Sequence, residues 1–371
     1  MTGEWRALAA ALADQLVASG DLTDPAWREA FAAVPRHAFV PGHPLDVAYS
    51  QHVIVTQTRP ARVLGGGSVD LPSSSASAPA AVAVMLDRLA VRDGQRVLEI
   101  GTGTGYNAAL LCHRLGDRNV YSIEIDPGLV DSARDVLARL GQHPHLVAGD
   151  GYRGVPSGAP YDAIVATCAV RDVPPAWIRQ LRLGGRIVAP LLGGDDAALM
   201  VLTKTADDEV IGRFDAIRVA FMPLRPQLGN PLSTDRTLGT AALAMPHYGT
   251  TSLDPAVLVE PDDNFALFLR LHVAGLVVGT ADNPRLGRSV TVSDAGSIAE
   301  AALAPAGEAT WTVLQRGPRR LWDTVEYAAR LWESLGHPDR SRYGITALDD
   351  TARQFVWLDD PDGPYSWPMP L

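Results

Sequence analysis

Cysteine is scarce in this chain. Its 371 residues include only Cys112 and Cys168, with no CxxC spacing. That leaves no material for a disulfide framework or a zinc ribbon. No HExxH occurs among the nine histidines, and no metal site is expected. Long apolar runs are missing too. Without a stretch of about 18 apolar residues, no membrane span is expected. Positive charge is in deficit, with 32 Lys and Arg against 42 Asp and Glu and a formal net charge of −10. Nucleic acid and anionic membrane surfaces are therefore poor candidates for the main partner.

What is present is the composition of a folded globular protein, 47% hydrophobic and 20% charged. The first segment, MTGEWRALAAALADQLVASG, reads as an amphipathic helix and not as a signal peptide. The expectation is a soluble protein of the cytoplasm, long enough for more than one core.

Apolar spacing predicts helices over 4–18 and 25–33. The stretch 58–79, TRPARVLGGGSVDLPSSSASAP, is rich in Gly, Ser and Pro and reads as a long loop. From residue 80 the pattern alternates. RVLEI, VYSIEI, HLVAGD, YDAIVAT and GRIVAPL read as strands. AAVAVMLDRL, YNAALLCHRLG, PGLVDSARDVLARLG and PPAWIRQLRLG read as helices. Such alternation implies a doubly wound, largely parallel α/β sheet. PQLGNPLSTDRTLG reads as a linker. Beyond it FALFLRLHV is expected as a strand and PRRLWDTVEYAARLWESLG as an amphipathic helix. Five of the eight tryptophans fall between 311 and 371.

The most informative stretch is VLEIGTGTGYN. A strand, a glycine turn and a helix form the entry of a nucleotide-type site, where glycine lets the backbone approach a ligand closely. The spacing of Gly101, Gly103 and Gly105 is GxGxG, and Tyr106 stands where a dinucleotide site would have its third glycine. There is no Walker lysine. Glu99, just before the turn, would repel a pyrophosphate but can accept hydrogen bonds from an amino group. S-adenosylmethionine offers an amino group, a sulfonium charge and no phosphate. Glu124 ends the next strand, where an acid can accept both ribose hydroxyls. Asp150, in GDG, could reach the adenine amine. The alternative for each acid is to cap the following helix. Together they point to S-adenosylmethionine, with Glu99, Gly101, Thr102, Gly103, Gly105, Tyr106, Asn107, Glu124, Ile125, Asp150 and Gly151 as candidate cofactor contacts.

At this point a family resemblance emerges. VLEIGTGTGY, GDG, YDAIVATCA, LRLGGRIVAPL and VAFMPL resemble, in order, the motifs of protein-L-isoaspartate O-methyltransferases. VPRHAFVP at 34–41 and SASAP at 75–79 resemble that family's upstream motifs. The resemblance implies an α/β, Rossmann-like class I S-adenosylmethionine-dependent methyltransferase with an N-terminal helical cap and a C-terminal α+β extension. The implied divisions are 1–79, 80–226 and 240–371. It also implies methyl transfer to a carboxylate, with Ser77 and Ser75 orienting the acceptor and Ser74 able to substitute. Ser73, Thr167 and Cys168 are candidate acceptor contacts, Cys168 as a small pocket-lining side chain.

Two departures stand out. More than ten residues are inserted after Gln57, and the chain continues far past VAFMPL. VTQ, the serine loop, CHRLGD and the C-terminal RRLWDTVEYAARLWESLGHPDRSRYG resemble a subgroup that works beside ATP-grasp ligases in ribosomal-peptide (graspetide) maturation. That resemblance implies a precursor-peptide aspartate as acceptor, leading to aspartimide and then isoaspartate. Isoaspartyl repair of damaged proteins and a non-catalytic peptide-binding module are the rival readings. Trp357 and Trp367, near prolines and acidic turns, are expected to line a peptide groove.

Overall fold

The computed structural model describes residues 3–62, 68–191, 197–225, 245–273, 275–294 and 296–369. The expected linker around 226–239 lies outside the described residues. Helices α1 (Glu4–Ala18) and α2 (Pro25–Ala33) form as their periodicity predicts. Asp24 caps α2 by accepting from the Ala26 amide at 2.9 Å, and Pro25 presets the first turn. A short helix α3 (Leu45–Ala48) leads into strands β1 (Ile54–Arg62) and β2 (Ser68–Ala76), which pair antiparallel as an isolated hairpin.

This hairpin replaces the loop expected over 58–79. Its composition hides it, since Pro60 and Pro72 both lie within the pairing. A two-stranded ribbon has a free edge on each strand, so a proline without a donor is tolerated there.

The main sheet follows. Its parallel part contains β3 (Val97–Ile100), β4 (Val120–Glu124), β5 (His145–Ala148), β6 (Tyr161–Ala166) and β7 (Leu181–Leu191). Interleaved helices are α4 (Pro79–Leu89), which precedes β3, α5 (Tyr106–Leu115), α6 (Pro127–Arg139) and α7 (Pro175–Gln180). The helix expected to end in LRLGG stops at Gln180; that glycine pair belongs to β7, with Gly184 at φ 74°.

Antiparallel strands β8 (Ala198–Ala206) and β9 (Glu209–Phe214) continue the sheet. The C-terminal chain then divides between two sheets. Strands β10 (His247–Thr251), β11 (Val277–Asn283), β12 (Gly287–Ser293), β13 (Ile298–Ala302) and β14 (Trp311–Arg316) form a second, antiparallel sheet in the order β10-β14-β13-β12-β11. The last three strands, β15 (Tyr343–Leu348), β16 (Gln354–Leu358) and β17 (Ser366–Pro368), return to the main sheet against β9. The main sheet reads β17-β16-β15-β9-β8-β7-β6-β3-β4-β5.

Helix α8 (Asp263–His272) corrects another expectation, because FALFLRLHV is helical. Its continuous apolar run suits a buried strand or a buried helix alike. Asp262 decides locally, accepting from the Asn264 and Phe265 amides at 2.8 and 3.2 Å. Helix α9 (Leu321–Ser334) presents Leu321, Trp322, Val325, Ala329 and Trp332 on its buried face, as the spacing predicts.

Each face of the main sheet carries its own core. Ile164 and Ile187 point to a cluster that continues through Met200, Phe268, Val290, Trp322 and Ile345. Their neighbours Val165 and Val188 point the other way, to Trp27, Phe31 and Leu86 of the N-terminal helices. The strands run from β3 through β5 to one side and from β6 through β7 to the other. This makes the ends of β3 and β6 the switch point where doubly wound sheets bind ligands.

Candidate active site

Strand β3 is buried along its whole length and ends at Ile100, just before Gly101. Gly101, Gly103 and Gly105 all have positive φ, at 95°, 53° and 89°. Their surroundings differ. A Cβ at Gly101 would lie 2.8 Å from Thr167 Oγ1, and one at Gly105 would lie 3.0 Å from Ala133 Cβ on α6. Gly103 is the open position, its nearest neighbours being Ser74 Oγ and the Ser75 carbonyl at 3.9 Å. A side chain there would fill the gap between the turn and the serine strand.

Glu99 is fully buried. Its Oε1 accepts from Asn107 Nδ2 at 2.8 Å and its Oε2 from Ser122 Oγ at 2.5 Å; Ser122 Oγ also meets Thr102 Oγ1 at 2.6 Å. Burial pushes its carboxyl up to about 7, with a smaller push from Glu124, against the lowering effect of the Ser122 and Asn107 hydrogen bonds. Asn107 Oδ1 is buried without a hydrogen-bond partner. Glu124 accepts from the Gly103 amide at 3.1 Å on Oε2, and from the Asp126 amide at 3.1 Å and Arg225 Nη2 at 2.9 Å on Oε1.

The hairpin lies over this turn. Ser73 Oγ donates to Gln57 Oε1 at 2.7 Å, and Thr56 Oγ1 donates to Ser74 Oγ at 3.2 Å. Gln57 Nε2 and Arg59 Nη2 donate to Asp126 Oδ2 at 3.1 and 2.6 Å, clasping the hairpin to the start of α6. At its other end the buried Arg36 guanidinium donates to the carbonyls of Ser77, at 2.9 Å, and Ala48. Arg36 stands in the motif VPRHAFVP. Its burial and its role in holding the Ser77 backbone were not visible from the sequence.

A cavity of about 240 Å³ opens between these elements. Of the expected site residues, Ser73, Ser74, Ser75, Ser77, Glu99, Gly101, Thr102, Gly103, Tyr106, Asn107, Glu124, Ile125, Gly151, Thr167 and Cys168 all line it. Gly105 sits behind it, packed on α6. Asp150 is absent from the lining and caps the next turn, accepting from the Tyr152 amide at 2.9 Å. Trp357 and Trp367 do not line it, and Trp357 instead lines a separate surface cavity with Thr346 and Phe355. The Trp357 ring lies over Gly344, with its indole donating to Thr346 Oγ1 at 3.1 Å, and Trp367 packs on Phe268 and His272. Both rings belong to the packing of the C-terminal strands.

Burial holds the Cys168 thiol far above its ordinary range, with the Glu124 and Glu99 charges adding to the effect. It therefore lines the cavity as a neutral group. The segment 220–225, with Arg225 at its end, completes the wall. Arg225 is a site residue that the sequence reading missed, since only the fold brings it to Glu124. Among the described lining residues it is the one Arg or Lys, and it already serves a carboxylate. Among the described residues a phosphate would have to compete with Glu124 for this one cation. Two acids, an unpaired amide oxygen and an open glycine backbone instead fit the amino group and ribose of S-adenosylmethionine. Among the described residues no group of three or more His, Cys, Asp or Glu side chains could hold a metal, and no helix is long and apolar enough to cross a membrane.

Comparison with known proteins gives a consistent result. The sequence model of the protein-L-isoaspartate(D-aspartate) O-methyltransferase family matches residues 7–228. The chain is 40% identical over 195 residues to protein-L-isoaspartate O-methyltransferase 2 of Polaromonas sp., covering 52% of this chain and 85% of that protein. It is 41% identical over 204 residues to the protein-L-isoaspartate O-methyltransferase of Methanoculleus marisnigri, covering 54% and 83%. A solved structure described as a protein-L-isoaspartate O-methyltransferase superposes with a TM-score of 0.54 at 22% identity, covering 94% of this chain and 99% of that one. At that identity the likeness is one of fold, and it extends well past residue 228.

Proposed function

Because this chain belongs to the protein-L-isoaspartate(D-aspartate) O-methyltransferase family, we propose that its cleft methyl-esterifies an aspartate side chain of a ribosomal precursor peptide. At the coarser level it is an S-adenosylmethionine-dependent carboxyl O-methyltransferase with the class I Rossmann-like fold. The observation that carries the reading is the serine-rich strand β2 laid across the glycine turn, with Ser75 and Ser77 facing the same cavity as Glu99 and Glu124.

When bound, S-adenosylmethionine supplies a methyl group on a positively charged sulfur. Glu99 and Asn107 Oδ1 would hold its amino group, Glu124 its ribose, and the Gly103 backbone would allow close approach. The protein's remaining work is orientation. A carboxylate acceptor is ionised at neutral pH, so no side chain has to remove a proton. The Ser75 and Ser77 hydroxyls donate to the acceptor carboxylate and fix the oxygen that takes the methyl. Arg36 holds the Ser77 backbone in place. The resulting ester carries a better leaving group, its methoxy group, than the ionised acid does. The next residue's backbone nitrogen attacks its carbonyl, methanol leaves and an aspartimide forms, which water opens to aspartate or isoaspartate.

In this reading the enzyme acts in the cytoplasm on a precursor handled by a pathway ATP-grasp ligase. Residues 240–371 help to hold that precursor. A second reading, isoaspartyl repair, is supported by the 40% identity over 195 residues to protein-L-isoaspartate O-methyltransferase 2 of Polaromonas sp., while the fold likeness to the solved structure extends over 94% of this chain. The extra C-terminal strands are thus not peculiar to a precursor-modifying fold. Competition between a precursor peptide and a generic isoaspartyl peptide, read by mass spectrometry, separates the two. The precursor should gain one methyl and then lose methanol, with the generic peptide a poor acceptor. Equal specificity constants would give the case to repair.

A further inference from the structure

Arg225 is held in place by strand-like pairing. The Ala169 amide donates to the Met222 carbonyl at 2.9 Å and the Leu224 amide to the Ala169 carbonyl at 2.8 Å, which fixes the chain up to the residue before it at the cavity wall. From there its guanidinium reaches Glu124 at 2.9 Å. Glu124 Oε1 then serves two donors, the Asp126 amide and Arg225, while Oε2 serves the Gly103 amide. A ribose diol that is to bind Glu124 has to compete with Arg225 for this carboxylate. The arginine side chain is about a quarter exposed and Glu124 about one-twentieth. The arginine is therefore the partner with room to move.

We propose that Arg225 is a two-position residue, paired with Glu124 before the cofactor enters and with the acceptor carboxylate afterwards. The inference rests on the carboxyl-methyltransferase reading and deepens it. A guanidinium displaced from Glu124 stays within a cavity lined by Ser74, Ser75 and Ser77 and by no other Arg or Lys among the described residues. Its planar fork matches a carboxylate in two-point geometry, which a serine hydroxyl alone cannot do. Binding is then ordered. The cofactor releases the cation that the peptide needs, so a bound cofactor strengthens peptide binding, and by linkage the reverse also holds.

The experiment is a pair of calorimetric titrations on the full chain and on Arg225→Gln and Arg225→Lys. S-adenosylhomocysteine is titrated first. The precursor peptide and an isoaspartyl hexapeptide, each also with an amide in place of the reacting carboxylate, are then titrated into each complex. Arg225→Gln should bind S-adenosylhomocysteine at least as tightly as wild type, about threefold tighter, because Glu124 no longer has a competitor. It should bind the carboxylate peptide about tenfold more weakly, losing most of the preference over the amide. Arg225→Lys should restore part of that preference. The inference is overturned if Arg225→Gln weakens S-adenosylhomocysteine, or if it discriminates carboxylate from amide as well as wild type does. If the wild-type complex itself does not discriminate, the carboxylate-acceptor reading falls and takes the inference with it.

Discussion

Replacing Glu99 by glutamine tests the site at its deepest point. The carboxyl is pushed from an ordinary value of 4.5 up to about 7, chiefly by burial. A carboxyl raised in this way keeps its proton longer in the folded chain than in the unfolded one. Between about pH 4.5 and pH 7 the folded state binds more protons, so stability falls as pH rises through that window and levels off above it. The full displacement is worth about 3 kcal/mol. Glutamine carries no charge to desolvate, but it cannot accept from both Asn107 and Ser122. One lost hydrogen bond returns about 1 kcal/mol. Glu99→Gln should therefore be about 1–2 kcal/mol more stable than wild type above pH 7 and lose that advantage near pH 5. Ligand binding moves the other way. An ammonium group needs the ionised form, so wild-type affinity for S-adenosylhomocysteine should fall by nearly tenfold for each pH unit below about 7. Among the described residues no histidine lines the cavity to imitate this dependence. The variant should bind about a hundredfold more weakly, with no slope. Calorimetry and thermal melts from about pH 5.5 to 8.5 measure both quantities. A flat wild-type affinity, or a variant that is less stable yet binds normally, would refute the reasoning.

Three further outcomes follow from the same geometry. Changing Ser74, Ser75 and Ser77 together to alanine should leave S-adenosylhomocysteine affinity within about twofold while turnover falls about a hundredfold; full activity in steady-state assays would remove these hydroxyls from acceptor orientation. The double variant Gln57→Ala with Arg59→Ala opens the clasp on Asp126 but spares its cap on α6. It should cost less than about 1 kcal/mol of stability and speed S-adenosylhomocysteine release in stopped flow, and an unchanged release rate would mean that the hairpin does not cover the ligand. Trp357→Ala should destabilise the fold by about 3–5 kcal/mol in urea melts, since the ring is buried over Gly344. The acceptor KM measured well below its melting temperature should not move if the ring serves packing alone, and a raised KM would show that it helps to form a peptide groove.

The catalytic half was legible because its signals are local. The parallel strands are apolar runs, three of which (β3, β4 and β5) lead into a glycine or an acid, and the glycine turn and Glu99 lie within one short segment. The hairpin was illegible because its serines, glycines and prolines satisfy a loop pattern as well as a ribbon pattern. Helix α8 was misread because a continuous apolar run has no visible period. The packing of the tryptophans was hidden for a different reason. Proline and aspartate near Trp357 describe its chain neighbours, whereas its burial is set by the register that puts it opposite Gly344. Arg225 meets Glu124, at the end of β4, because Met222 and Leu224 pair with Ala169 beyond β6, and no spacing along the chain announces it.

The return of β15 to β9 has a consequence for how the protein is made. Arg213 pairs with Gly344 and Gly212 with Ile345, so the main sheet cannot close until nearly the whole chain has left the ribosome. A nascent chain that has already folded its nucleotide-binding half carries β9 as a bare edge strand throughout the synthesis of the second sheet. Such high contact order slows the final step, and an unpaired edge invites association with other chains. Shortening the protein at residue 226 would make that transient state permanent. Any attempt to isolate the methyl-transfer half therefore needs a substitute for β15, or a charge placed on β9, before its activity can be compared with that of the intact enzyme.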